Sequence, residues 1–594
     1  MTVYRSMCAV FCMGLLAAAP QARALDDLQF RVDTADEDFT ARLKDASLLR
    51  AAKSEGRVLP EDLMATALAD YRRLTEYLYS EGYYGGTVNI RVDGTEAAAI
   101  PVLSPPSRIG IIVVEIDPGP LYRFSRAQVA PLAEGTEMPE GFREGEPAPA
   151  TLVGDAVDAA VTGWREAGHA KAEPVSEKVT ANHSSDTLSA DVRIGPGPRL
   201  RFGRLEVTTP SAVRAAAIRR IAGLPRGEVF HPDEVARSAE RLRRTEAFSS
   251  VQLVEGEAVG DVLEMEARVA DRKPRRIGAG AELSSLDGVT LSGFWLHRNI
   301  AGGAERLRFD AEVRNIGTVT EDIDYLLRAR LDVPAAIGPD THFFTFGEYL
   351  LEVEPAYESE RFEFGVGLSR IWSEELTTEL YVGYLEADTK TDLGEQYFQL
   401  VPLHGTLVYD RRDDPLNPKN GYYVSVEATP YLGLGDSDSG ARLFGDLRGF
   451  KSLGTRNVVA GRLQMGSVLG SEIDNTLPEL LFASGGGGTV RGQPYKSLDV
   501  DLGGGDRSGG RSFVGLSAEL RTSITENIGI VAFADAGYIG AESSYDGNGD
   551  WHSGAGLGLR YNTGIGPIRF DVAMPTGGDT GDGVQIYIGI GQAF

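Results

Sequence analysis

One guanidinium and three carboxylates are the groups in this sequence whose chemistry and spacing most invite a function. Arg491 stands between Val490 and Gly492, and its planar fork of donors suits bidentate pairing with a carboxylate. Glu519, Asp535 and Asp571 each lie in a stretch that alternates polar with apolar residues. Glu519 is in phase with Ser517 and Arg521, Asp535 alternates against Ala534, and Asp571 is in phase with Arg569 against Phe570 and Val572. A β-strand sends successive side chains to opposite faces, so all three carboxylates fall on the polar face. The chemistry on offer is ion pairing rather than turnover. The seven histidines are scattered, with no His-Glu-x-x-His or Gly-x-Ser-x-Gly pattern, and the run Gly485 to Gly488 lacks the Gly-Lys-Ser/Thr ending of a phosphate loop. Asp546-Gly547-Asn548-Gly549-Asp550 begins like a calcium loop, but Trp551 takes the glycine position and Leu557 the glutamate position, so it reads as a hairpin turn. Gly577 to Gly583 reads likewise as the turn before the last strand. No enzyme, metal or cofactor is expected.

The elements that must position these groups are strands. From Arg276 onward the chain alternates with period two: Leu307, Phe309, Ala311 and Val313 interleave with Arg306, Arg308, Asp310, Glu312 and Arg314. Tyr325 to Val333 and Arg361 to Leu368 repeat the pattern. About sixteen such segments fit between Arg276 and Phe594, and an even count is what a bacterial membrane barrel requires. The fold class expected is therefore a transmembrane antiparallel β-barrel, its greasy face toward lipid and its ionic face lining a wet lumen.

Before residue 272 helical and strand patterns mix, and an internal repeat organises them. Ile116-Asp117-Pro118-Gly119-Pro120-Leu121-Tyr122-Arg123-Phe124-Ser125-Arg126-Ala127-Gln128-Val129 returns 78 residues later as Ile194 to Val207, with eight of fourteen positions identical. Each copy reads as the last strand of one unit, a Pro-Gly turn and the first strand of the next. Between the junctions, Leu63, Ala67, Tyr71, Leu74 and Leu78 keep helical spacing until Gly82, before a strand at Thr87 to Val92. The same order predicts a strand at Ala170 to Val175 after Trp164 to Gly168, and another at Phe248 to Val254 after Val235, Ala239 and Leu242. Three α+β units follow, at 25–118, 119–196 and 197–272, with the barrel at 273–594 after the charged Asp271-Arg272-Lys273-Pro274-Arg275-Arg276 linker.

Residues 1–24 read as a secretory signal peptide: Arg5, an apolar stretch from Met7 to Ala19, then Ala22-Arg23-Ala24. Both cysteines, Cys8 and Cys12, lie inside it. Beyond it no apolar run is long enough for a membrane helix. Lys and Arg total 59 against 86 Asp and Glu, a balance that argues against a nucleic-acid partner.

Thr489-Val490-Arg491-Gly492-Gln493-Pro494-Tyr495-Lys496-Ser497-Leu498 carries a family resemblance. So do Gly509-Gly510-Arg511-Ser512, Ser517 to Arg521, Phe533-Ala534-Asp535-Ala536-Gly537, Gly566 to Asp571 and the ending Tyr587 to Phe594, with Tyr409 to Pro418 and Gly421 upstream. Over nearly the whole chain past residue 24 the sequence resembles the outer-membrane barrel assembly and secretion superfamily, whose members join periplasmic POTRA repeats to a sixteen-stranded barrel. Three POTRA-like units and the Tyr-Lys-Ser-Leu continuation are most similar to its TamA branch; BamA-type members usually have five units and two-partner secretion transporters two. The resemblance implies that Val490, Arg491 and Gly492 mark a long loop folded back into the lumen, with Asp535 and Glu519 as partners of Arg491 and Asp571 nearby. It implies an outer-membrane location with the POTRA units in the periplasm, a TamB-like inner-membrane and periplasmic partner, and clients among autotransporters and other β-barrel proteins, handed on into outer-membrane lipid. The port would be the seam between the first strand, with Gly278 and Gly280, and the last, with Gly589, Gly591 and Phe594. Glycine weakens a strand interior, and it also makes room for curvature. One departure stands out: Gln493-Pro494 takes the place where an aromatic residue commonly follows the glycine. Two other readings stay open, a two-partner secretion exporter passing an unfolded chain through the lumen and a passive outer-membrane pore.

Overall fold

The computed structural model describes residues 25–594 apart from Asp26, 57–58, 102–104, 285–287, 317–322 and 565; the expected signal peptide lies outside the described residues. The chain divides into two compact units, one running to Phe202 with Gly227–Pro232 and Ala258–Leu263, the other holding the remaining segments through Phe594.

The N-terminal region folds as α/β modules resembling POTRA domains. In the first, the helices Glu37–Ala46, Leu48–Ser54 and Pro60–Ser80 pack on a four-stranded sheet of Asp27–Val32, Ile111–Asp117, Thr87–Val92 and Thr95–Glu96, in that spatial order. Leu63, Ala67, Leu74 and Leu78, the stripe read from helical spacing, are fully buried against Ile90, Ile112 and Val114. Burying each large aliphatic chain stabilises by about 1.5–3 kcal/mol, which is what orders a helix of this kind on its sheet. The second module sets Ala150–Glu166 on the sheet Arg123–Ala130, Thr187–Gly195, Glu173–Asn182. The third has a sheet of Arg201–Val207, Val262–Asp271 and Phe248–Val259, with helices at Ala215–Ala222 and Pro232–Arg244.

The sequence repeat is also a repeat of geometry. Gly119 and Gly197 hold the same left-handed conformation, at φ 67° and 66°. The Tyr122 amide donates to Gly82 O at 3.0 Å and the Leu200 amide to Gly168 O at 2.9 Å. The Phe124 and Phe202 amides each reach the carbonyl of a downstream glutamate, Glu146 and Glu228, at 2.9 Å. One element departs from the sequence reading: the strand expected at Ala170 to Val175 is Glu173–Asn182. Ala172 N donates to His169 O in a turn that delays it, and the strand, at the edge of its sheet, is exposed at nearly every position, so it carries no apolar alternation to read.

The second half is one sixteen-stranded antiparallel sheet in which each strand pairs with the next along the chain. We number its strands β1 Arg275–Ser284, β2 Gly288–His297, β3 Arg306–Ile316, β4 Asp324–Val333, β5 Thr341–Glu354, β6 Tyr357–Ile371, β7 Leu376–Thr391 and β8 Gly394–Asp410. The series continues with β9 Gly421–Gly433, β10 Gly440–Leu453, β11 Asn457–Leu469, β12 Ser512–Ser523, β13 Ile528–Gly540, β14 Asp550–Thr563, β15 Gly566–Gly577 and β16 Gln585–Ile590. Phe309, Leu327, Phe362 and Phe364 stand on the exterior. Inside, Arg308 pairs with Asp310 at 2.6 Å, and Arg330 with Asp332 at 2.9 Å and Glu379 at 3.1 Å. An exterior this apolar over successive strands has hydrocarbon as its fitting solvent. At the strand ends, Arg241 of the third module grips Asp340, in the β4–β5 turn, with two bonds of 2.8 and 2.7 Å, which hold that carboxyl below the usual carboxylate range.

The two ends of the sheet meet at β1 and β16, which come within 8 Å in Cα position without forming a ladder among the described residues. Phe594 does not end an alternating strand, as the sequence suggests. β16 stops at Ile590, Gly591 turns at φ 92°, and Phe594 packs inward against Phe450, its carbonyl oxygen accepting from Arg521 at 3.1 Å. The nominated glycines do separate jobs. A Cβ on Gly278 would lie 2.3 Å from the Phe294 ring, one on Gly280 would lie 2.8 Å from Ser292 Oγ, and one on Gly589 would lie 3.0 Å from Arg569 Nε, so these three make room for neighbours, whereas Gly591 bends the chain.

Candidate functional site

The connection between β11 and β12, residues 470–511, is far longer than any turn the strands need, and it runs into the lumen. Leu481, Phe482 and Leu498 pack against Val468, Phe513 and Ile539 of the wall. Phe482 exchanges main-chain hydrogen bonds with Gly510, and Ser484 with Leu498 at 2.9 Å in both directions, so the loop folds as a short hairpin. At its tip Gly492 takes φ 99°, and a Cβ there would sit 2.6 Å from Met574 O; only glycine lets the loop lie this close to β15.

This approach delivers Arg491 to the wall. Its Nε and Nη2 donate to the two oxygens of Asp535 on β13, at 2.8 and 3.0 Å, and its own amide donates to Asp535 Oδ2 at 3.1 Å. Nη1 donates to Glu519 on β12 at 2.6 Å and lies 3.6 Å from Asp571 on β15. The guanidinium also stacks 3.7 Å from the Phe533 ring centroid. Arg491, Glu519, Asp535 and Asp571, drawn from four segments of the sequence, thus meet in one cluster in which none of the four side chains is more than 3% exposed. Two more guanidiniums complete it: Arg521 donates to Glu519 at 2.8 Å, and Arg560 on β14 pairs closely with Asp571. Three cations balance three anions in these ion pairs. Buried charges persist only when paired and hydrogen-bonded, and this network meets that condition.

The neighbouring residues extend the hold. Val490 is fully buried. Gln493, in the position that departs from the family pattern, donates from Nε2 to Ser553 O and Gly577 O at 2.8 and 3.0 Å, and Pro494 packs beside Gly581. The loop is also held on the opposite wall, by residues that sequence reasoning missed. Glu479 pairs closely with Arg361 on β6, Arg361 bonds Glu348 on β5 at 2.6 Å, and Lys496 reaches Glu354 at 2.8 Å. Glu479 and Arg361 are 118 residues apart, and Glu479 lies outside any periodic segment. The only available hint was an acid amid the apolar Leu477-Pro478-Glu479-Leu480-Leu481.

These features define a membrane β-barrel that carries POTRA-like modules and closes on a re-entrant loop. Residues 299–594 match the Omp85 superfamily domain, and this part of the chain belongs to that superfamily. The chain is 22% identical over 440 residues to the outer membrane protein assembly factor BamA of Nitratidesulfovibrio vulgaris, a match covering 69% of this chain and 53% of that relative, so it spans about half the relative's length. Its fold is similar to the crystal structure of BamA from Haemophilus ducreyi lacking POTRA domains 1–3, with a TM-score of 0.62 at 15% identity, covering 79% of this chain and 99% of the other. CdiB from Acinetobacter baumannii aligns at a TM-score of 0.47 and 13% identity, over 79% of this chain and 89% of the other.

Proposed function

We propose that this protein assembles other β-barrel proteins into the bacterial outer membrane, with its POTRA-like modules in the periplasm. The observation that carries the reading is the seam: β1 and β16 face each other without a ladder, while the loop anchored by Arg491 occupies the lumen. An unpaired strand edge is a template, so a client strand that adds to β1 or β16 exchanges main-chain bonds there and passes sideways into lipid with its backbone satisfied. The similarity to an outer membrane protein assembly factor supports the same reading. More specifically, we assign the protein to the TamA type, with autotransporters among its clients and the exposed edges of its modules available to a TamB-like partner. The Tyr495-Lys496-Ser497-Leu498 continuation of the loop supports this assignment.

Residues 25–594 contain no cysteine, so one cysteine placed in β1 and one in β16 can be joined cleanly. The locked seam should block client insertion and a reductant should restore it. Full client assembly with the seam locked would overturn the proposal, and continued secretion of a large soluble partner under the lock would point to an exporter using the lumen.

A further inference from the structure

The least secured strand of the sheet is the one at the seam. β16 pairs with β15 over six positions only, from Ile568↔Ile590 to Ala573↔Gln585, and among the described residues it has no ladder on its other side. Its apolar residues Ile586, Ile588 and Ile590 face outward, where hydrocarbon would hold them equally well if the strand moved. Something else must fix its position.

That fixing comes from the re-entrant loop. Tyr587, the one buried side chain of β16, points inward, and its hydroxyl accepts from the Gly492 amide at 2.9 Å and donates to Gln493 O at 3.4 Å. Thr580, in the turn that leads into β16, donates to Gln493 Oε1 at 2.9 Å. The Gln493 amide nitrogen is spent on Ser553 O and Gly577 O, at the ends of β14 and β15. Thr580 Oγ1 also lies 2.9 Å from His552 Nδ1, and His552 Nε2 lies 2.8 Å from Ser484 Oγ at the base of the loop hairpin. One proton order satisfies every atom: Ser484 donates to Nε2, Nδ1–H donates to Thr580, Thr580 donates to Gln493, and Gln493 donates to the strand ends. A chain of bonds running in a single direction through buried groups is strengthened by its own polarisation.

We propose that the re-entrant loop latches the seam strand, with Gln493 and the Gly492 amide as the catch and Tyr587 and Thr580 as the parts caught. Gln493 is then a positioning residue. A phenylalanine at this position would offer no donor to Ser553 O and Gly577 O and no acceptor to Thr580, so the catch depends on the side-chain amide of Gln493. The functional weight of the latch rests on the reading of the seam as the client port; the latch itself does not.

The test is amide hydrogen exchange on the full chain in lipid nanodiscs, comparing Tyr587→Phe, Gln493→Ala and Thr580→Val with the parent. Exchange over 585–590 should rise about five- to tenfold, the factor set by one hydrogen bond of ordinary net strength, while β12 to β14 keep their protection and the barrel keeps its heat-modifiable mobility. Thr580→Ser retains the hydroxyl and should leave exchange at the parent rate. Unchanged exchange in β16, or a rise spread evenly over β12 to β16, would overturn the latch. Should Gln493→Ala fail to fold, Thr580→Val still decides, because it removes one of the parts caught while leaving Gln493 and the loop intact. If β16 loosens as predicted but locking the seam leaves client assembly intact, the latch stands and the port reading falls.

Discussion

The interior of the first module and the interior of the barrel are built by opposite rules. The module buries Leu43, Leu49, Leu63, Leu74 and Leu78 and admits one carboxylate, Asp70, which is held by Ser47 Oγ at 2.6 Å and the Leu48 amide at 2.8 Å. The barrel buries Arg491, Arg521 and Arg560 with their three carboxylates and turns Phe309, Leu327 and Phe364 outward. What differs is the solvent each surface is made for. A water-facing module gains by hiding hydrocarbon, whereas a barrel in lipid gains nothing by hiding it and uses its interior for ion pairs.

The sharpest break of this comparison is Arg491→Ala. It leaves Asp535 buried without its cation and Glu519 with Arg521 alone, and truncating one partner of a buried ionic network costs about 3–5 kcal/mol. The variant should unfold at lower urea in lipid vesicles and release the loop, which raises single-channel conductance. Arg491→Lys should fall between, because an ammonium cannot span both oxygens of Asp535 while reaching Glu519. Parent-like stability and conductance would make the cluster ornamental.

A matched pair of surface changes comes next in size. Leu327 on the barrel and Val179 on the second module are exposed to similar degrees, 55% and 47%. If one meets lipid and the other water, Leu327→Arg should cost about 2–4 kcal/mol near the bilayer midplane, while Val179→Arg should change stability by less than about 0.5 kcal/mol. Urea titration in vesicles reads the first, and fluorescence of Trp164, the only tryptophan of the modules, reads the second. Equal effects would contradict the assignment of solvents.

Glu479→Gln probes the opposite wall. It keeps the shape but removes the charge opposite Arg361, and should cost about 1–3 kcal/mol. With Arg491→Ala in the same chain, the two losses should add to within about 0.5 kcal/mol if the loop's anchorages are independent. A strongly non-additive result would mean that the loop comes free as one piece.

How much of this was legible follows from the same contrast. Period-two alternation carries strand phase, so the lumenal placement of Glu519, Asp535 and Asp571 could be read without a structure, whereas Arg491 as the partner of Asp535 and Glu519 came from the family resemblance. Helical spacing likewise marked the stripe from Leu63 to Leu78. Glu479 with Arg361 was not legible, because a loop has no period and its partner is chosen by how the loop folds across the lumen. Phe594 misled because Tyr587-Ile588-Gly589-Ile590 alternates correctly until Gly591 turns, and the turn is a matter of φ, not of pattern. The edge strand Glu173–Asn182 was displaced because water bathes both of its faces.

The smallest effect lies where a tyrosine hydroxyl of the first module bonds the second. Tyr84 donates its hydroxyl to Ala148 O at 2.9 Å, and burial pushes its phenol up to about 12 from an ordinary value near 10. A raised pKa in the folded state means that the folded chain holds this proton more tightly than the unfolded chain does. The stability it contributes is therefore complete below pH 10 and is lost as the pH climbs through 12. Urea midpoints followed by Trp164 should fall over that window in the parent. In Tyr84→Phe the fall should be shallower, from a slightly lower starting point because the bond to Ala148 is gone. If the parent and Tyr84→Phe decline in parallel, the alkaline sensitivity belongs to other groups, and the Tyr84 hydroxyl adds nothing to the junction between the modules.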